Sequence, residues 1–341
     1  MNLEAFLTDQ LQNQSQYELT DQDKLILENE GVDAFMFAKL TTKKFRRWAL
    51  DDTTIERVNT AIDIAVKEKQ PLQVIFPQGG YKLWRFSDSY PEADWAEFFN
   101  IAHLINYLAP IAHGYKPGIQ LYYYMHTLLP EVHDNLPTED IDAYLRSFQE
   151  LLDQFSPYLP ENFTITISKD ADFYGSREHY FETLESHFEK GKKDFEESDI
   201  SKQEAMLKTS ELNIKWDGKE DWTKLSEAEK QEKIKIGAMY EKTMSYLEEP
   251  RVFTKSEDKV LIFIKSGGGW LGVGSSKNSI TKYWTGTGVA EMKGEKWYGR
   301  ILSPAQYEDL KDSISYQEVN FLPLKNFSRI GTIEEVNFVH L

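Results

Sequence analysis

From residue 72 onward, short apolar runs and helical patterns alternate along the chain. "LQVIF" (72–76) is a compact apolar run ended by Pro77 and the Gly79–Gly80 pair, which predicts a buried strand. "ADWAEFFNIAHLINYLAPIAHGY" (93–115) is apolar-rich, too long for a strand, and stopped by "GYKPG", so it predicts a helix. "GIQLYYYM" (118–125) predicts a second strand. "LPTEDIDAYLRSFQELLDQF" (136–155) predicts a helix with Thr138 as cap and Glu139 and Asp140 in its first turn. "NFTITIS" (162–168) alternates Phe163, Ile165 and Ile167 as a third strand would.

Strand, helix, strand, helix, strand at this spacing implies right-handed crossovers and a parallel sheet. The fold class expected is therefore α/β, a Rossmann-like, mostly parallel sheet. Residues 1–70 read as a helical N-terminal part: "DDTTIERVNTAIDIAVKEK" places Ile55, Val58, Ile62 and Val66 at helical spacing, and "GVDAFMFAKL" and "TKKFRRWAL" read as shorter helices. Residues 71–176 form the α/β core. Residues 177–250 are a charged helical segment whose joining "NIKWDGKEDW" reads as a turn anchored by Trp216 and Trp222. Residues 251–341 read as a β-rich C-terminal part that completes the core, with strands in "KVLIFIKS", "SITKYWTGTGVAEM", "KWYGRILS" and "EEVNFVHL".

In a parallel sheet the loops after the carboxyl ends of the strands line the ligand crevice. Here those loops are 77–93, 125–136 and 169–176. The first carries Gly79, Gly80, Tyr81, Lys82, Trp84 and Arg85. Two glycines allow backbone N–H groups to approach an anion, and Lys82 and Arg85 supply charge-assisted contacts to a phosphate or carboxylate. The plainer reading is a tight turn with solvated cations. A second glycine-rich stretch, 264–292, has seven glycines between Gly267 and Gly288 together with Lys265, Lys277 and Lys282, and it keeps Trp270, Tyr283 and Trp284. It reads equally as an anion-binding region or as a hairpin loop.

Composition narrows the partners. The 341 residues carry a formal net charge of −17, from 56 acidic against 39 basic side chains, a surface that repels nucleic-acid backbones. With no cysteine, disulfides, thiolate metal sites and cysteine nucleophiles are excluded. "MNLEAFLTDQLQNQ" lacks the basic start and apolar core of a secretory signal, and no apolar run approaches membrane-spanning length, so a cytoplasmic protein without membrane contact is expected. No known metal-ligand spacing, nucleophilic-serine motif or kinase set occurs. His126 and His133 flank "TLLPEV" with Glu131 and Asp134 close by, a spacing that matches no ligand motif, and no metal or other cofactor is expected. His126 follows a strand end beside the crevice, where an acid–base group would sit. Asp94 and Glu97 are accounted for by the favourable position of acids at a helix N-terminus.

The succession "PLQVIFPQGGYK" and "DWAEFFNIAHLINYLAPIAHGYKPGIQLYYYMHTLLPEVHDNLPTEDIDAYLRSFQELL" resembles the isonitrile synthase (pyoverdine/dityrosine biosynthesis) family. Tyr115, Pro117 and Gly118 match its "Y-x-P-G" phrase, and Pro137, Ala143 and Tyr144 its following helix. "RVFTKSEDKVLIFI" and "YWTGTGVAE" look like its arginine-bearing strand and closing "W-x-G" strand, and the similarity covers roughly residues 55 to 300. Two positions depart from it. The second site loop, usually opening on Ser-Asp and carrying an arginine, reads "YMHTLLPEV", and Thr285 stands where histidine is usual. The resemblance implies an enzyme that converts the amino group of an amino acid or related amine to an isonitrile, with ribulose 5-phosphate or a similar sugar phosphate supplying the carbon. It implies Lys82 as the lysine that handles the sugar phosphate or its carbonyl, Arg251 as a phosphate or carboxylate ligand, and Trp284 as pocket lining. Gly79, Gly80, Tyr81, Arg85 and Lys282 would complete the binding set, with His126 as proton carrier. Two other readings stand beside it: a non-catalytic binding or interaction protein using the charged helical segment as its partner surface, and an α/β transferase for an activated phosphate ester. The sequence leaves the oligomeric state open.

Overall fold

The three apolar runs in the middle of the chain pair side by side. The structure is a computed structural model and describes residues 2–12, 17–46, 49–79, 90–247, 262–264, 271–272 and 286–334. Strands β1 (Leu72–Gln78), β2 (Ile119–Met125) and β3 (Phe163–Lys169) are parallel and in even register, Leu72 opposite Ile119 and Ile119 opposite Phe163. A short β4 (Ile262–Phe263) joins the far side of β1, giving the order β3-β2-β1-β4. The expected parallel α/β sheet is thus present.

The two faces of this sheet bury different parts of the chain. Val74, Phe76, Leu121 and Tyr123 face α5 (Trp95–Gly114) and α7 (Thr138–Phe155), with Tyr123 edge-on to Phe148 at 5.0 Å. Ile75 and Tyr124, the alternate residues, face Tyr180 and Leu184 of α9 (Arg177–Glu196) and Met244 and Leu247 of α11 (Glu227–Leu247). Each face is covered, so β1 and the end of β2 are apolar on both sides, whereas β3, at the edge of the sheet, alternates Phe163, Ile165 and Ile167 with Thr164, Thr166 and Ser168. The helices α4 (Asp52–Glu68), α5 and α7 follow the spacing read from sequence, and Asp51 and Asp94 cap the first two.

Helix α5 is buried on nearly every side because a second sheet lies against it. That sheet has the order β6-β5-β8-β7, from β5 (Thr287–Lys293), β6 (Lys296–Leu302), β7 (Ser315–Glu318) and β8 (Arg329–Glu334). Two glycines make the approach possible. A Cβ at Gly288 would stand 2.3 Å from the Trp95 carbonyl carbon, and one at Gly299 would stand 2.2 Å from the Phe99 ring. Trp95 Nε1 then donates to the Arg329 carbonyl oxygen at 2.7 Å. A helix that is apolar all round needs such enclosure.

Some family-like residues turn out to be architectural. Gly118 adopts φ 83°, and a Cβ there would strike the Asn162 carbonyl oxygen at 1.8 Å, so the turn into β2 requires glycine. The Tyr115 hydroxyl donates to the carbonyl oxygens of Ala65 and Gln70 at 2.6 and 2.8 Å, tying the end of α4 to this turn. Trp222 anchors the 213–222 turn as expected, packing with Ile214 and Ile234 while Trp216 lies against them.

Three local expectations are corrected or fall outside the description. "TKKFRRWAL" is not a helix over its described residues: Phe45 and Arg46 donate to the Thr42 carbonyl in a single turn that drives the Phe45 ring against Tyr107 at 5.2 Å. Thr138 does not cap α7 but is its first residue, with Pro137 extended before it and no side-chain cap bond. Of the strand expected in "EEVNFVHL", only Glu334, the last residue of β8, is described. The segment before it, 304–334, carries a short helix α12 (Pro304–Leu310) and strands β7 and β8, which the sequence reading did not separate.

Gly288→Ala should lower stability by roughly 1–3 kcal/mol, because the new methyl meets backbone atoms that cannot rotate away. The check is a denaturant-unfolding midpoint, and an unchanged midpoint would contradict the close packing of β5 on α5.

Candidate functional site

In the order β3-β2-β1-β4 the strand order reverses between β1 and β4, and the connections that leave the neighbouring β2 and β3 also part. Chain leaving β1 and β2 returns through α5 and α7 on the first face, whereas chain leaving β3 runs through α9 and α11 on the second before reaching β4. The carboxyl ends of β1, β2 and β3 lie side by side at one edge, the edge at which ligands bind in open α/β sheets. The residues gathered there are His126 and Thr127 after β2, Asp170 after β3, and Gly79 after β1.

Asp170 is the fixed point. It is the first residue of α8 (Asp170–Tyr174) and is wholly buried. Its Oδ1 accepts from the Tyr124 hydroxyl at 2.6 Å. Its Oδ2 accepts from the backbone N–H groups of Thr127 and Leu128 at 2.5 and 2.8 Å, and from the Thr127 hydroxyl at 3.2 Å. The two N–H groups open α6 (Leu128–His133), so the carboxylate also meets the positive end of that short helix. Burial alone would raise the Asp170 pKa. The His126 imidazole, the Tyr124 hydroxyl and the Leu128 N–H outweigh it and hold the carboxyl below its ordinary value. The Tyr124 phenol is pushed well above its ordinary range, first by burial and then by the Asp170 charge, so it remains a donor.

His126 sits over this carboxylate with Nδ1 3.6 Å from Asp170 Oδ1, its side chain 16% exposed. Its backbone N–H donates to the Gln78 carbonyl at 2.9 Å, and its ring stands edge-on to Tyr124 at 4.6 Å between centroids. Gly79 lies directly beside it: a Cβ on Gly79 would be in van der Waals contact with the imidazole at 3.5 Å. Of the residues proposed from sequence, the structure therefore brings Gly79 and His126 together. Gly80, Tyr81, Lys82, Arg85, Arg251, Lys282 and Trp284 lie outside the described residues.

A second polar group lies under the same edge on the first face. Gln78 Nε2 donates to the Tyr144 hydroxyl at 2.6 Å, and that hydroxyl donates to Glu97 Oε1 at 3.3 Å. Glu97 Oε2 accepts from the Asp94 N–H at 2.9 Å, completing a capping box at acids that the sequence alone explains by the favourable place of negative charge at a helix N-terminus. Glu97 thus does two things, closing a helix end and joining a buried network with Gln78 and Tyr144. Beside it, Tyr123 donates to Asn100 Oδ1 at 3.2 Å.

The other candidate ligands are engaged elsewhere. Glu131 is bridged by Arg177 at 2.7 Å and Lys219 at 3.0 Å, and His133 stacks on Tyr240 at 3.9 Å. Among the described residues no three histidines or carboxylates converge as a metal site would require. None of the described helices is long and apolar enough to cross a membrane. Asp170, Tyr124 and Thr127 were missed from sequence. The signal for Asp170 was its place as the first acid of the third strand-end loop.

Tyr124→Phe removes one donor from a buried carboxylate and should cost about 1.5–3 kcal/mol at pH 7. The folded-state pKa of Asp170 is depressed, so its stabilisation is complete above the unfolded-state pKa and is lost as pH falls through the folded value. The deficit of the variant should therefore shrink as the carboxyl becomes protonated in acid. Urea unfolding from pH 7 to pH 3 checks this, and a deficit that stays constant would contradict an ionised Asp170.

No protein-family model matches the sequence, and no curated protein matches it. Among solved structures, the chain is similar to the PvcA protein from Pseudomonas aeruginosa, with a TM-score of 0.56 over 98% of this chain and 100% of that one, at 11% sequence identity. At that identity the likeness shows a shared fold along the full length of both chains.

Proposed function

We propose that this chain is an isonitrile-synthase-like biosynthetic enzyme acting in the cytoplasm on an amino acid or related amine, with a sugar phosphate of the ribulose 5-phosphate kind as co-substrate. The observation that carries the reading is the position of His126 at the carboxyl edge of the sheet, beside Gly79 and against the buried Asp170. A proton carrier belongs there, because forming a new bond to an amine nitrogen requires that nitrogen to lose protons. The strand-end motifs of the sequence and the shared fold with PvcA support the same reading.

In this reading the Gly79–Gly80 turn presents backbone N–H groups to the phosphate, and Lys82 supplies the central cation with Tyr81 and Arg85 beside it. Arg251 and Lys282 assist from the C-terminal part, and Trp284 lines the pocket. His126 takes over acid–base work in a loop that lacks the Ser-Asp opening usual in the resembling family.

A thermal-shift screen against ribulose 5-phosphate, other sugar phosphates, nucleotides and aromatic amino acids tests this. The melting point should rise with a pentose phosphate, since a ligand that binds only the native state stabilises it by mass action. Lys82→Ala should abolish that rise while leaving the unliganded melting point unchanged. A shift with nucleotides alone would favour a phosphate-ester transferase, and no shift from folded protein would favour a partner-binding scaffold.

A further inference from the structure

Asp170 has one oxygen filled and one only partly filled. Oδ2 already accepts three donors, from Thr127 N, Thr127 Oγ1 and Leu128 N, whereas Oδ1 accepts from Tyr124 at 2.6 Å, with the imidazole of His126 next at 3.6 Å. Each carboxylate oxygen carries about two lone-pair sites, so Oδ2 is fully used by its donors, one of them at a long 3.2 Å, while Oδ1 keeps room for a second. The distance to His126 Nδ1 exceeds a hydrogen bond by a few tenths of an ångström, a gap that a small ring rotation closes. The ring cannot wander far, because the His126 backbone is bonded to Gln78 and the imidazole packs edge-on with Tyr124.

We infer that Asp170 is a positioning residue for His126: it accepts the Nδ1 proton and so leaves Nε2 as the nitrogen that exchanges protons with substrate. This rests on His126 being the proton carrier of the proposed reaction. The chemistry follows from the donor inventory. An ionised carboxylate only accepts, so the neutral imidazole must present Nδ1–H to it, which leaves the lone pair on Nε2. When Nε2 takes a proton from the substrate, the substrate N–H bond breaks, an Nε2–H bond forms, and the positive charge gained by the ring is balanced by Asp170. No proton passes to Asp170 itself. The Tyr124, Thr127 and Leu128 donors keep it anionic and in place. The pairing joins a residue after β2 to one after β3, and the parallel register of these strands, Met125 opposite Lys169, creates it.

The test needs no substrate. Long-range proton–nitrogen NMR of the histidine side chains in the 15N-labelled full-length protein, at a pH where His126 is neutral, reads the tautomer directly. The His126 signals are assigned by their loss in His126→Gln. The expected result is the Nδ1–H tautomer in the wild-type protein, the reverse of the form favoured by free imidazole side chains. In Asp170→Asn, His126 should shift toward the Nε2–H tautomer, while Tyr124→Phe, which disturbs the same region but leaves the carboxylate, should keep Nδ1–H. An Nε2–H tautomer in the wild type, or an unchanged tautomer in folded Asp170→Asn, would overturn the inference. If Asp170→Asn does not fold, the wild-type tautomer alone decides. Because the spectrum is recorded without ligand, a failure of sugar-phosphate binding would count against the proposed reaction and leave this result readable.

Discussion

A carboxylate buried where two parallel strands end is the constraint around which this edge of the protein is organised. Removing Asp170 from water carries a desolvation penalty of several kcal/mol unless its lone pairs are met. Thr127, Leu128 and Tyr124 meet them, all from the chain after or at the end of β2, while Asp170 itself starts the chain after β3. The ends of the two strands are thereby locked together across the point where their connections part to opposite faces. His126, between Tyr124 and Thr127 in sequence, has its place fixed by neighbours that all serve this carboxylate. A functional group held by residues whose own positions are over-determined is what an acid–base site requires.

The rest of the architecture supplies stiffness behind that edge. Helix α5 lies between the two sheets, and the glycines of β5 and β6 let the second sheet come close enough to exclude water from it. The start of α5 carries Glu97, which closes its own N-terminus and reaches Tyr144 and through it Gln78 at the end of β1. The carboxyl edge is thus braced on the first face by this network and on the second by Tyr124, Tyr174 and Tyr180 packed around Asp170. Gly79 stands between the two, adjoining His126.

Much of the frame was legible in the sequence, and the reason is periodicity. Runs such as "LQVIF" and the Phe163–Ile165–Ile167 alternation announce strands because burial on a pleated surface demands them, and "GYKPG" announces a turn because Gly118 must adopt positive φ. His126 could be picked out by position alone. Asp170 also stands at a strand end, but the partners that set it apart from other acids, Tyr124, Thr127 and Leu128, are 42 to 46 positions away in sequence. The role of Glu97 beyond its cap was hidden for the same reason: its partners Tyr144 and Gln78 are 47 and 19 positions away in sequence. In the C-terminal part, β8 pairs in parallel with β5 and antiparallel with β7, long-range choices that no local pattern specifies. The turn at Phe45 replaced an expected helix because the ring found a place against Tyr107 and His103, a tertiary contact that overrides local propensity.

The central claim is that ligand binds at the carboxyl edge of the parallel sheet, over His126. Titrating the protein with ribulose 5-phosphate and an aromatic amino acid while following the histidine ring-proton resonances tests it most directly. The His126 resonance should move on binding, while those of His103, packed on Phe45 and Tyr107, and His133, stacked on Tyr240, stay in place. Saturable binding with His126 unmoved would place the ligand elsewhere and contradict the account.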